Sequence, residues 1–298
     1  MSTAAKPAPS VPAYAQLKPE PAFPLIAPAQ LPAIPATAGQ PGLSSEQLAH
    51  FHERGWVVVR NFVDRSTVSK LELECDGLHE VMAESGADER HRVGTAWEEH
   101  TDVNRPKRVR QLMHSQRVCP TIDAVSKSEA MLAIMRQLIG PDVYLFHSKL
   151  MMKAAKEGSL TPWHQDFQYW QFESLLPTQV NCMLYIDGAD YENGCLRMID
   201  GTHRTGLLPI HRIASQSFSI GLQGGLNDWD STSIPVQPGD AIIFGSYVIH
   251  GSGPNTSERH RRANTFAFDR PWNVRPTIGD EALPLEFHRC GKTDPRSR

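Results

Sequence analysis

From residue 44 onward the hydrophobic and polar positions follow two successive regimes. Up to residue 140 the apolar residues fall at helical spacing in three places. The first, "LSSEQLAHFHERG", offers Ser44 or Ser45 as a cap and ends near Gly55, and the β-branched run "WVVVRNF" after it reads as a strand. The second and third helices lie in "DRSTVSKLELECDGLHEVMAES" and in "SEAMLAIMRQLIG", the latter closed by Gly140-Pro141. Beyond residue 140 the pattern shortens into strand-like runs between turn signals: "VYLFHSKLMMKA", "QVNCMLYID", "CLRMIDG", "SIPVQPGDAIIFGSYVIHGSG" and "RANTFAFDRPW". Helices first and many short strands afterwards predict a mainly β fold with N-terminal helices, an antiparallel barrel or jelly roll rather than an alternating βαβ sheet.

Residues 1–43 depart from both regimes. Ten of the chain's 23 prolines lie there, interleaved with alanine, which blocks helix and sheet alike. The expectation is an extended or disordered arm, with one domain over 44–298. A net charge of −3 gives no field that would gather nucleic acid or an anionic membrane. No apolar run approaches a spanning helix, and the five scattered cysteines, without a C-x-x-C pair, read as reduced thiols. These features predict a cytoplasmic protein with neither nucleic acid nor membrane as partner; they leave its oligomeric state open.

The chemistry concentrates in "TPWHQDFQYW", where His164 and Asp166 stand two apart among aromatic rings. At the end of a strand such a pair projects both side chains to one face, since strand side chains alternate. A third ligand is offered by His250, 84 positions beyond Asp166, where the apolar strand "DAIIFGSYVIHGSG" runs into a glycine turn. Two histidines and one carboxylate leave three positions open, the arrangement of non-haem Fe(II) oxygenases. An isolated His-x-Asp would otherwise be a surface hydrogen bond beside a core histidine. Eleven residues after His250, Arg261 opens the next strand, where its guanidinium can fork onto a carboxylate and Ser252 can add a hydroxyl donor. That set is what 2-oxoglutarate requires, with a third open position left for dioxygen.

Four ordered blocks carry a wider likeness: "SSEQLAHFHERGWVVVRNF", "FHSKLMMKAAKEGSLTPWHQDFQYW", "ENGCLRMIDGTHRTG" and "PGDAIIFGSYVIHGSGPNTSERHRRANTF". Over roughly residues 44–270 the chain resembles the phytanoyl-CoA dioxygenase family, which includes ectoine hydroxylase. The resemblance implies a double-stranded β-helix (jelly roll, cupin-like) and an Fe(II)- and 2-oxoglutarate-dependent oxygenase. It makes His164, Asp166 and His250 the iron ligands and Arg261 with Ser252 the clamp on 2-oxoglutarate, and it places Lys149 near that cosubstrate. The chain departs from the common Pro-Gly-Ser-His with Asp200-Gly201-Thr202-His203, where the histidine reads as structural. Arg259, His260, Arg261 and Arg262 are crowded, so a one-residue slip would make Arg262 the clamp; Arg261 is preferred. Halogenating relatives replace the carboxylate with Ala or Gly, and Asp166 is retained.

The remaining candidates are less determined. Phe167 and Trp170 are assigned to a dry pocket wall, and Gln165 to a structural hydrogen bond pointing away from it. His147 reads equally as a satisfied strand histidine or a pocket residue. Asn181 and Met183 share one strand face and look towards either cosubstrate or substrate. The charged stretch 88–116 reads as a long loop, a lid whose Arg105, Lys107, Arg108 and Arg110 offer contacts to an anionic substrate group. The expected activity is oxidation, most simply hydroxylation, of a C–H bond in a small organic molecule. The rival class is a cupin-like metal protein acting as a non-redox isomerase or small-molecule binding module, which would have no need of Arg261.

Overall fold

The computed structural model of the protein describes residues 41–84, 95–97, 109–212, 220–222, 231–274 and 286–288. The first helix, α1 (Ser45–Arg54), starts on a reciprocal cap. The Ser44 hydroxyl accepts from the Gln47 N–H, and the Gln47 side chain accepts from the Ser44 N–H. Two amides that a helix start leaves orphaned are thereby satisfied. Gly55 ends α1 at a φ of 89°, and any Cβ there would lie 2.5 Å from His203 Nδ1. Strand β1 (Trp56–Val59) and helix α2 (Arg65–Glu84) follow as the hydrophobic pattern implies. Helix α3 (Pro120–Ser126) lacks the length to show periodicity and was not foreseen, whereas α4 (Glu129–Ile139) begins on the Ser128 cap.

The strands form two facing antiparallel sheets. The major sheet runs β1, β11 (Ala241–Gly245), β6 (Val180–Tyr185), β13 (Arg261–Asp269), β4 (Val143–Lys153), β3 (Val109–Met113) and β2 (Thr95–Trp97), with β14 (Glu286–His288) also on β4. The minor sheet is β10 (Thr232–Ile234), β7 (Leu196–Met198), β12 (His250–Ser252) and β5 (Thr161–His164). A two-stranded ribbon, β8 (Ile210–Arg212) with β9 (Ile220–Leu222), completes the set. This is the expected jelly roll.

Period-two alternation explains how one sheet serves two environments. On β6, Val180, Cys182 and Leu184 join Ile243, Phe266 and Phe268 in a core against Leu71 of α2, Ile122 of α3 and Met131 and Met135 of α4. The alternate residues Met183 and Tyr185 pack with Trp56, Ile242, Phe244 and Ala263 between the sheets, against Leu196 and Met198. Covered on both faces, β6 and β13 are buried at every position. Each fully buried side chain of Leu or Phe size contributes about 1.5–3 kcal/mol, so the helices that screen the outer face also fix the inner one.

Two expectations need correction. The stretch 88–116 is not a single loop: β2 and β3 lie within it, and β3 pairs with β4 through Gln111↔Met151 and Met113↔Lys149. Its charge masked the strand signal, because only every second residue of an edge-proximal strand must be apolar. Arg105, Lys107 and Arg108 lie outside the described residues, as do residues 1–40 of the arm and Cys290. Residues 41–43 are described, and Leu43 is buried, with its N–H donating to Gln137. The second correction concerns Asp166. Strand β5 ends at His164, and Asp166 adopts helical angles (φ −59°, ψ −35°) at the head of the short helix α5 (Phe167–Trp170). The two side chains converge because the backbone turns there, not because a strand alternates.

Candidate metal centre and cosubstrate pocket

The centre is built where the minor sheet meets the turn into α5. His164 and His250 are direct cross-strand partners of β5 and β12, with ring centroids 4.2 Å apart. Asp166 Oδ1 lies 3.4 Å from His164 Nε2 and its Oδ2 3.7 Å from His250 Nε2. One ligand atom from each residue can be chosen so that all three lie within 4.8 Å of one another. These spacings are somewhat wider than the ~3 Å of cis ligands ~2.1 Å from a common ion.

The imidazoles are oriented by the backbone. His164 Nδ1 is 2.8 Å from the Pro162 carbonyl and His250 Nδ1 is 2.9 Å from the Val248 carbonyl. Carbonyls only accept, so each Nδ1 carries the proton and each Nε2 presents a lone pair to the centre. Burial pushes His250 down to about 4, so it is neutral and ready to ligate near neutral pH. For Asp166, burial pushes the other way, but the surrounding His250, His164 and Lys149 outweigh it and hold the carboxyl well below the usual range. An ionised carboxylate and two imidazoles whose Nδ1 atoms are held by carbonyls are a donor set suited to a divalent first-row ion.

The surrounding residues hold this arrangement. Asn181 Nδ2, from β6 of the opposite sheet, donates to Asp166 Oδ2 at 2.9 Å. The sequence offers Asn181 to either cosubstrate or substrate; its amide contacts the Asp166 carboxylate, while its Oδ1 is buried without a partner. Gln165 turns away and ties three segments together, donating to the Gly206 and Tyr247 carbonyls and accepting from the Leu208 N–H. Thr202 accepts from the Ile249 N–H just before His250, and Asp200 accepts from Arg54 and Trp56. His203 Nε2 lies 3.1 Å from the His52 carbonyl, so the Asp-Gly-Thr-His tetrad braces α1 against the strand that carries His250.

Alternation along β13 separates the two adjacent arginines. Arg262 faces the helices, its guanidinium forked onto Asp187 at 2.9 Å on both arms and paired also with Asp76. Arg261 faces the interior, 2% exposed, with Nε and Nη1 lacking any hydrogen-bond partner. Nearby on β4, the Lys153 ammonium is held by the Ser159 and Gly253 carbonyls. Ser252 is buried on β12, opposite Leu196. An arginine buried this deeply without an anion costs several kcal/mol, so the orphaned nitrogens mark the place of an anionic ligand.

An aromatic cluster packs beside the centre, with Tyr169 edge-on to His164 at 5.9 Å between centroids. Trp170 packs edge-on to Phe146 and His147, at 5.5 and 5.2 Å between centroids, and Phe167 packs on Tyr247 at 5.4 Å. His147 is therefore not a satisfied strand histidine: its Nε2 is buried without a partner, and burial pushes its pKa down to about 3. Lys149, on the same face of β4, is lowered by burial and steadied by Asp166. Arg110 is buried at an irregularity in the β2–β3 pairing, close enough to influence Lys149 and Tyr169. Met183 lies deeper, in the core between the sheets. Tyr185 was missed by the sequence reading, although its place two residues after Met183 puts it on the same inner face.

Comparison with known proteins gives this geometry a family. Residues 51–263 match the model of the family described as phytanoyl-CoA dioxygenase (PhyH). A probable phytanoyl-CoA dioxygenase of Caenorhabditis elegans is 26% identical over 236 residues, 74% of this chain and 73% of its own. An ectoine dioxygenase of Nocardia farcinica is 26% identical over 237 residues, 74% and 76% of the two chains. The fold is shared with EctD from S. alaskensis. Its structure with bound Fe superposes at a TM-score of 0.63 with 18% identity, over 83% of this chain and 84% of that one. Its structure with 2-oxoglutarate and 5-hydroxyectoine gives 0.62 with 18% identity, over 80% and 79%.

Proposed function

Since the chain belongs to the phytanoyl-CoA dioxygenase family and is an Fe(II)- and 2-oxoglutarate-dependent oxygenase, we propose that His164, Asp166 and His250 hold its iron. Arg261 and Ser252 receive the distal carboxylate of 2-oxoglutarate, and Lys149 lies near the chelated end. The observation that carries the assignment is the pairing of two imidazoles, both with Nε2 freed by Nδ1 bonds to carbonyls, around one ionised carboxylate. When bound, iron with 2-oxoglutarate and dioxygen supplies an oxidant strong enough to break a C–H bond, with succinate and carbon dioxide released. Asn181 keeps the Asp166 carboxylate facing the imidazoles, and Phe167, Trp170, Phe146 and Tyr247 keep water from the reacting face. The substrate is a small organic molecule, and hydroxylation is the simplest outcome. A non-redox cupin-like role would leave the buried, unpartnered Arg261 without a purpose.

The test needs no substrate. Anaerobic protein titrated with Fe(II) and 2-oxoglutarate should develop the visible metal-to-ligand charge-transfer band of the chelate. The band should be absent in His164→Ala. In Arg261→Ala it should require far more 2-oxoglutarate, while Arg262→Gln should leave that requirement unchanged. Folded wild-type protein that forms no band would overturn the assignment.

A further inference from the structure

The pocket around Arg261 contains a second orphan. Tyr185 closes β6 on the same inner face as Asn181 and Met183, fully buried. Its cross-strand partner on β13 is Ala263, which makes Arg261, two residues earlier on that face, its diagonal neighbour. The Tyr185 hydroxyl has no hydrogen-bond partner, and neither do Arg261 Nε and Nη1. The Leu196 N–H points at the phenol oxygen and, being a donor, leaves the phenolic hydrogen itself without an acceptor. The Cys195 thiol, itself only a weak donor, interacts with both side chains.

Phenol and guanidinium therefore converge without a matching acceptor. Burial pushes the phenol well above its ordinary range, so it stays protonated and can only improve its position by giving its hydrogen to something. Buried polar groups are ordinarily satisfied, and the cost of leaving these two open is removed by one ligand. A carboxylate has about four lone-pair sites, enough for both arms of an arginine fork and a further hydroxyl. A single neutral carbonyl oxygen, with two lone pairs, could not accept from all three donors.

We propose that Tyr185 donates its phenolic hydrogen to the carboxylate that Arg261 receives, and so makes the cosubstrate site select a 2-oxo diacid over a 2-oxo monoacid. This rests on the proposed role of Arg261. Tyr185 is a specificity-determining residue at the end of the cosubstrate remote from the metal. Its hydroxyl should leave the chelated end, and the spectrum that reports it, untouched.

The experiment compares wild type with Tyr185→Phe, both loaded anaerobically with Fe(II), titrated with 2-oxoglutarate and with 2-oxopentanoate, which carries a methyl where the distal carboxylate stands. The charge-transfer band reports binding of each. Loss of a hydrogen bond to a charged acceptor should weaken 2-oxoglutarate about tenfold or more, leave 2-oxopentanoate within about twofold, and keep the band at the same wavelength. The melting temperature of the metal-free variant should equal or exceed that of wild type, since an unsatisfied hydroxyl has been removed. Unchanged 2-oxoglutarate affinity, or equal weakening for both cosubstrates, would refute the role of Tyr185 while leaving the iron and Arg261 assignments standing. Absence of any band in wild type would instead remove those assignments and this inference with them.

Discussion

Replacing Asn181 with leucine keeps the volume of the side chain and removes one contact, the 2.9 Å donation from Nδ2 to Asp166 Oδ2. A buried hydrogen bond to a charged acceptor is worth about 1.5–3 kcal/mol. That range corresponds to roughly a 10- to 150-fold change in an equilibrium constant, in line with the 10- to 100-fold typical of residues that orient a metal ligand. Without the amide, Asp166 is free to rotate towards either imidazole, and iron must fix the carboxylate itself. The expected result for Asn181→Leu is an Fe(II) affinity weakened by about 10- to 100-fold, measured anaerobically against a competing chelator at saturating 2-oxoglutarate. The apparent 2-oxoglutarate affinity of the fully iron-loaded variant should change far less, because Arg261 and Ser252 are untouched. An Fe(II) affinity within threefold of wild type would show that the carboxylate needs no help from the opposite sheet, and the positioning argument would fail.

Two further perturbations separate structure from ligand binding. Arg262→Gln breaks the bidentate pair with Asp187 and the contact with Asp76, all on the helix-facing side. With side chains only 10% and 17% exposed at the Asp187 pair, denaturant unfolding should show a loss of about 2–3 kcal/mol; an undiminished stability would refute the pairing. His147→Phe tests linkage in the metal-free protein. Burial holds the folded imidazole down to about 3, while the unfolded one titrates near ~6.5. Between those values the unfolded state binds the extra proton, so His147 lowers stability by about 1.4 kcal/mol for each unit of falling pH. The phenylalanine variant should lack that slope, and parallel stability curves for variant and wild type between pH 5 and about 6.5 would contradict the burial argument.

The sequence was most informative where local chemistry and long-range pairing coincide. Ser44, Gln47 and Gly55 declare α1 without reference to the rest of the fold, and the β-branched runs around Ile242 and Phe266 declare buried strands. The metal centre was legible from His164, Asp166 and His250, though a turn rather than strand alternation aligns the first two, since the chain leaves its strand before Asp166. Register decided what pattern left open. Arg261 and Arg262 are both strongly basic and adjacent; only pairing with β4 and β6 assigns one to the interior and the other to Asp187. Strand β3 escaped notice because Arg110 and Gln111 interrupt its apolar face, and Tyr185 because a tyrosine in a buried strand resembles ordinary packing until its hydroxyl is seen to lack a partner.

The two histidines belong to the minor sheet, whereas the carboxylate is tethered to the major sheet through Asn181. An ion gripping all three would act as a rivet across the mouth of the sandwich. Its occupancy would then be a mechanical variable as well as a chemical one. At a free concentration a hundred times its dissociation constant it adds about 2.7 kcal/mol to stability, and that increment falls on the seam where the sheets would otherwise part. Hydrogen exchange in β5 and β12 should therefore slow on metal loading more than exchange in β6 and β13, which the helices already hold shut.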